Sequence, residues 1–306
     1  MSFTSRVHRG EPDRALVLDL RRACTTPENA TDFPTLVDLS ELLASGTPTG
    51  MHTRLWFDDS GQLIACAMAH LPYRNLYWLV RPGSSTAELE NHIVAFGLAA
   101  VRKYGIERAQ ALTLDSPSRD SDVERVAVLE RHGFVRQAEG VLRMLRPLDE
   151  AIANPALPPG FTVRPMAGEQ EGEAYVALHR AAFGTEHMTV EHRLAIMREA
   201  DYRAAGDLVA VAPDSTLAAF CVCQIHPDEN AQTGQHWGWT DPLGVHPAYQ
   251  RKGLGRAILL AGLRFLREQG METAALGTAS TNPAQRLYTS VGFRTAFTYL
   301  WFSKAM

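Results

Sequence analysis

The stretch "LGVHPAYQRKGLGRAIL" (residues 243–259) turns from an apolar strand into an apolar helix. At the corner it gathers Gln250, Arg251, Lys252, Gly253, Gly255 and Arg256 into seven positions. A helix N-terminus offers unpaired backbone N–H groups and a dipole that favours negative charge. Glycines at 253 and 255 let successive amides converge and let an anion approach without meeting a Cβ, while Arg251, Lys252 and Arg256 add attraction. These residue types in this order fit a phosphate or pyrophosphate held by residues 250–256, Leu254 included. Two other phosphate loops do not match: GxxxxGK[ST] is absent, and the third glycine position of GxGxxG holds Ile258.

What remains is Gln-x-x-Gly-x-Gly directly after a Leu-Gly-Val-His-Pro strand end. This resembles the coenzyme-A pyrophosphate loop of the GCN5-related N-acetyltransferase (GNAT) family. The family's pattern continues about 30 residues later with Asn-x-x-Ala-x-x-Leu-Tyr-x-x-x-Gly-Phe, and "TNPAQRLYTSVGF" matches it at Ala284, Leu287, Tyr288, Gly292 and Phe293. The asparagine position holds Thr281, with Asn282 one place later.

The resemblance implies acetyl-CoA, or another acyl-CoA, as co-substrate, no metal, and direct attack by a primary amine in a ternary complex. It implies that pantetheine runs beside Leu243, Gly244 and Val245, with the amide near Val245 steadying the oxyanion. It places Asn282 and Ala284 in the coenzyme site and makes Tyr288 the acid that protonates the departing thiolate. Asn282 before Pro283 equally suits a helix N-cap, and Tyr288 equally suits packing beside Phe293. Asp241, four residues before Val245 on the same strand face if alternation holds, is the candidate general base; His236 and an ordered water are the alternatives. Trp237 and Trp239 fit an acceptor cleft or a core. "GTEHMTVEHRLAIM" carries His187 and His192 without metal-ligand spacing and reads as a surface helix. The rival from another class is a non-catalytic acyl-CoA-binding or sensor protein, which keeps the glycine loop but does not need Tyr288.

The elements that position these residues form two similar halves. "RPLDEAIANPALPPGF" (residues 146–161) interrupts the pattern with prolines and a glycine and reads as a linker. Domains are expected over 1–150 and 158–306, and an internal duplication accounts for their likeness. In the second half a strand, a helix, a strand pair, the strand before the glycine corner, a helix to Gln269, a strand, a short helix and a last strand follow one another. The first half repeats this: Val80-Arg81-Pro82 parallels Val245-His246-Pro247, and Gly133-Phe134 parallels Gly292-Phe293. The expected class is α/β, with a mixed sheet flanked by helices in each of two tandem GNAT-like domains. Aligning Pro82 with Pro247 puts Ser85 at the Gln250 position, Glu88 at Gly253 and Glu90 at Gly255, and the tyrosine position holds Val128 or Leu129. Carboxylates there repel phosphate, so the first half is expected to keep the fold without the pyrophosphate site.

The totals set the class of partner. With 306 residues, 45% hydrophobic content and a net charge of −4, the chain can bury two cores, and it does not favour nucleic acid or an anionic membrane. The N-terminal "MSFTSRVHRGEPDR" lacks an apolar signal core, and no uncharged run approaches the roughly 20 residues of a membrane span. Cys24, Cys66, Cys221 and Cys223 show neither zinc nor disulfide-scaffold spacing, and Cys221 and Cys223 share one strand face as core residues. A cytoplasmic enzyme acting on a small-molecule or peptide amine, as monomer or homodimer, is expected.

Overall fold

A computed structural model of the chain describes residues 2–34, 36, 39, 43, 51–199 and 201–306. Contacts group the chain into two compact units: Met1–Val141, Asp228–Gln235 and Phe297–Met306 form the first, and Leu142–Pro227 and His236–Ala296 the second.

The first unit opens with β1 (Phe3–Val7) and α1 (Glu11–Cys24), followed by β2 (Met51–Asp58), β3 (Leu63–His70) and β4 (Asn75–Val80). Next come α2 (Ala87–Glu107), β5 (Thr113–Arg119), α3 (Val123–Arg131) and the start of β6 (Val135–Pro147). β1 through β4 pair antiparallel in sequence order. β2 and β3 are joined at the expected DDSG turn, where the Asp58 carboxylate accepts the Ser60 and Gln62 amides at 2.9 Å each. β4 and β5 run parallel with a single register pair, Asn75↔Asp115. α2 presses Gly97 onto the sheet so closely that a Cβ there would stand 2.8 Å from Leu76.

The second unit contains β7 (Thr162–Pro165), α4 (Gly172–Phe183), α5 (Val190–Met197), β8 (Asp207–Val211) and β9 (Leu217–Val222). After α6 (Pro227–Thr233), most of which belongs to the first unit, come β10 (Trp237–Trp239) and β11 (Leu243–Val245). α7 (Leu254–Glu268), β12 (Thr273–Ala279), α8 (Gln285–Ser290) and β13 (Arg294–Ala305) complete the chain. One sheet runs β11-β9-β8-β7. In the other, β12 lies between β10 and β6. α7 buries Leu254, Ala257, Ile258, Leu259, Leu263 and Leu266, the stripe its periodicity demands, against Cys221, Cys223, Leu276 and Phe293.

The architecture is the expected α/β class with sheets flanked by helices, but only the larger sheet is mixed; β11-β9-β8-β7 is wholly antiparallel. β1 and α1 occupy the N-terminal stretch, where no clear apolar period marks them. The polar face of α1 hides its signal: Asp13 is buried in an ion pair with Arg6, while Val17 and Leu20 are the fully buried apolar side chains. The interrupted stretch is irregular from 148 to 161, after the end of β6, yet Leu148 and Ile152 are buried in the core of the second unit. The units are also not consecutive in sequence, because residues 297–306 pack with the first: Tyr299 to Ala305 pair antiparallel with β5. Among the described residues, no helix is long and apolar enough to cross a membrane.

Candidate active site

The site begins where one strand changes partner. Residues 237–245 are bonded along one edge to β9: Gln224 and Trp239 exchange N–H···O bonds at 2.8 and 3.1 Å, and Val222 N–H donates to Pro242 O at 3.0 Å. The other edge pairs with β12 along Trp237–Trp239 and ends at Thr240, whose N–H donates to Ala275 O at 3.0 Å. The cis peptide Asp241–Pro242 follows, and β11 then continues against β9 alone.

Alternation fixes what the freed edge presents. Pro242 O and His246 N–H are spent on β9, so the N–H and C=O of Gly244, between them, face β9 as well. Leu243 and Val245 therefore turn their peptide groups into the gap. Gly244 is required for a different reason: a Cβ would stand 2.5 Å from the ring of Phe220 and 2.9 Å from Ala182 on α4.

Asp241 fills the head of the gap. One carboxylate oxygen accepts from Gly277 N–H on β12 at 2.6 Å, so the side chain replaces the ladder bond that the strand gives up. Burial pushes its pKa up, against the Gly277 N–H and the Arg143 charge, which pull it down. The Arg143 guanidinium lies 4.3 Å from the ring centre of Trp239, so Trp239 meets a charged neighbour and is not simple core.

At the corner, Gln250 Nε2 donates to Val245 O at 3.2 Å. Arg251 and Gly253 both take left-handed backbone, with φ of 64° and 85°. Gly253 caps α7 with no side-chain hydrogen bond, and a Cβ on it would meet nothing within 4 Å. Ala257 N–H is bonded to Gly253 O at 3.0 Å, so the amides of Leu254, Gly255 and Arg256 lie ahead of that bond. Gly255 sits tighter: its Cβ would be 3.3 Å from both Leu287 and Val245. Arg251, Lys252 and Arg256 are exposed around this opening, with Lys252 Nζ 5.1 Å from the Tyr249 ring centre. Open space, first-turn amides ahead of the helix ladder and exposed cations together suit a pyrophosphate.

Tyr288 comes from α8 on the second face of the site. Its ring is buried edge-on to Phe293 at 6.2 Å, which satisfies the packing expectation, and no hydrogen bond to its hydroxyl is found among the described residues. Burial, and then the Asp241 charge, raise its pKa, so the phenol keeps its proton. Asn282 Oδ1 accepts from Ala284 N–H at 2.9 Å, so that oxygen is used in shaping the start of α8.

Other residues lie elsewhere. The exposed His236 ring faces Glu272 at 3.3 Å, before β10 begins. His187 and His192 are exposed, but α5 is more than a surface helix: it buries Arg193 in an ion pair with Asp207, and the guanidinium lies 3.8 Å from the Tyr175 ring centre. Sequence reasoning missed Gly277 and Arg143. The first acts through its backbone N–H, and the second reads as an ordinary polar residue in "VLRMLRP".

Residues 173–293 match the model of the acetyltransferase (GNAT) family. Mycothiol acetyltransferase of Saccharopolyspora erythraea is 37% identical over 159 residues, 51% of this chain and 50% of that protein. Mycothiol acetyltransferase of Saccharomonospora viridis is 28% identical over 296 residues, 93% of this chain and 92% of that protein. Residues 173–293 therefore form a GNAT domain. The enzyme class that goes with it is N-acetyl transfer from acetyl-CoA. Among solved structures, a tandem GNAT protein from the clavulanic acid biosynthesis pathway shares the fold, with a TM-score of 0.74 and 17% identity, covering 99% of this chain and 98% of that one. A GCN5-related N-acetyltransferase from Sphaerobacter thermophilus does so with a TM-score of 0.71 and 21% identity, covering 99% and 95%.

Proposed function

We propose that the second unit of this chain transfers an acetyl group from acetyl-CoA to a small-molecule primary amine by direct attack in a ternary complex, and that the first unit has no part in the chemistry. The observation that carries this is the strand edge released at Asp241, lying between a glycine corner suited to pyrophosphate and a protonated Tyr288. Acetyl-CoA supplies the activated acyl group. The amides ahead of Ala257 and the cations at 251, 252 and 256 hold its pyrophosphate. The gap-facing groups of Leu243 and Val245 align its arm, and Val245 N–H is aimed where negative charge develops on the thioester oxygen.

Asp241 takes the proton from the attacking amine, directly or through a water. Its raised pKa brings it closer to the range a base needs, and the Gly277 bond fixes its direction. Tyr288 returns a proton to the departing thiolate; its raised pKa keeps that proton available. Asn282 contributes its side-chain N–H groups near the coenzyme, since its oxygen is engaged.

The relatives' names, mycothiol acetyltransferase, favour a thiol-bearing amino-sugar acceptor among the possible amines. Thiol release from acetyl-CoA across a panel of aminoglycosides, peptide amines and amino-sugar thiols tests this. Turnover confined to the thiol-bearing amines supports it. Tight coenzyme binding without turnover of any amine supports the sensor alternative and sinks the enzymatic assignment.

A further inference from the structure

The first unit contains a cavity of about 400 Å³ at its own strand split, between Trp78–Pro82 and Pro117–Arg119 beyond the single β4–β5 register pair. A different device closes the split. The Arg125 side chain reaches up from α3 and bridges the two strands, Nη1 donating to Trp78 O at 3.2 Å and Nε to Pro117 O at 3.1 Å. Its guanidinium lies 3.6 Å from the Trp78 ring centre. Trp78 O and Pro117 O, which a threaded pantetheine arm could address, are therefore already bonded, and Arg125 lines the cavity.

The interior has more positive than negative charge. Arg21 is buried and spends its N–H groups on Thr25 Oγ1, Ala30 O and Pro34 O, all uncharged. Asp32 meets Arg119 through one oxygen, Oδ1, at 2.5 and 3.0 Å, and the same oxygen takes the Tyr299 hydroxyl at 2.9 Å. The other lining carboxylates are turned away: Glu90 bonds Arg131 and Ser85, Asp122 caps the Arg125 amide, and Glu124 is exposed. Of the lining guanidinium groups, that of Arg119 alone bonds a lining carboxylate, Asp32, among the described residues; Arg81 bonds Leu63 O, and Arg21 is attracted by Glu229 from outside the lining. Asp122 and Asp32 attract Arg125 without bonding its guanidinium, and burial lowers the Arg125 pKa to about 10. Among the described residues the hydrogen bonds of its guanidinium come from Nε and Nη1, and Arg125 lines the cavity. Phe33, Trp78, Leu79, Val80 and Val128 supply apolar wall beside it.

We propose that this cavity binds a small organic carboxylate with an apolar body, its carboxylate on Arg125 and its body against Trp78 and Val80. Charge-assisted bonds of this type discriminate strongly between an acid and its neutral isostere. The site is separate from the acetyl-transfer site and does not depend on its assignment.

The test is calorimetry of the full chain with phenylacetate and hexanoate, with phenylacetamide and hexanamide as neutral controls and inorganic phosphate as a competing anion. Saturable binding of a carboxylate below about 10 mM is expected, with the amide at least tenfold weaker. Arg125→Gln should weaken carboxylate binding by about tenfold or more. Val80→Trp, which fills the cavity and removes no charge, should abolish it while acetyl-CoA affinity is unchanged. No saturable carboxylate binding, equal binding of acid and amide, binding of phosphate alone, or retention of affinity in Val80→Trp would each overturn the proposal.

Discussion

The two strand-to-helix corners of this chain, 243–256 and 78–90, are built on one plan and end in opposite electrostatics. At the second, Gly253 caps α7 with no side chain, the first turn carries no acid, and the ground ahead of the helix is open. At the first, the Thr86 side chain accepts the Leu89 amide at 3.2 Å. Glu88 and Glu90 supply negative charge in the first turn, and Glu90 is further tied to Ser85 and Arg131. Thr86 and the glutamates provide for α2 what a bound phosphate would provide for α7. The strand splits differ in the same sense: Arg125 bridges one, while at the other no side chain spans to β12 beyond the Asp241–Gly277 bond among the described residues. A helix end or a strand edge that satisfies itself gains stability and gives up a ligand.

That contrast can be broken most directly at Gly255. Gly255→Glu brings the first corner's charge to the second and should weaken acetyl-CoA binding on the order of 1,000-fold by calorimetry. Gly255→Ala controls for the 3.3 Å contacts with Leu287 and Val245 and should cost no more than about tenfold. Wild-type affinity in the glutamate variant would falsify the pyrophosphate assignment. Titration of the wild type should give one coenzyme per chain, and two would mean that Glu88 and Glu90 do not exclude it.

Next in size is Tyr288→Phe, expected to lower kcat about 100-fold while the KM for acetyl-CoA stays within about threefold. The equivalent position in the first half is Val128 or Leu129, so an unchanged kcat would remove one distinction between the halves.

Asp241→Asn should lower kcat/KM for the amine by roughly tenfold to 30-fold, since the amide oxygen still accepts from Gly277. The sign of the pH effect follows from burial, which raises the carboxyl pKa. The base is lost as pH falls through that raised value, so the acid limb lies above the ordinary carboxylate range near ~4. An acid limb unchanged in the asparagine variant would give the base role to another group.

The smallest effect belongs to the first corner. Thr86→Ala should cost about 1 kcal/mol in chemical unfolding and leave acetyl transfer unchanged.

Most of the second corner was legible because glycine, cation and tyrosine spacing is a property of side-chain type along the chain. The α7 stripe was legible for the same reason, through period alone. Gly277 was not, because its contribution is an N–H that every non-proline residue carries. Gly244 was legible as a strand residue, but the Phe220 ring that requires it comes from another strand. Arg125 was hidden similarly: within "VERVAVLERHGF" nothing marks it as the residue that closes a sheet. β1 and α1 escaped because Asp13 is buried through its pairing with Arg6, a partner that periodicity cannot supply.

The grouping of residues 297–306 with the first unit bears on how such a chain can be divided. A gene cut at codon 150 would yield an N-terminal product without the strand that lies against β5. The matching C-terminal product would lose residues 142–147 and the buried Leu148. Neither fragment is a module that recombination can move alone. The two halves now have to be inherited, and lost, together.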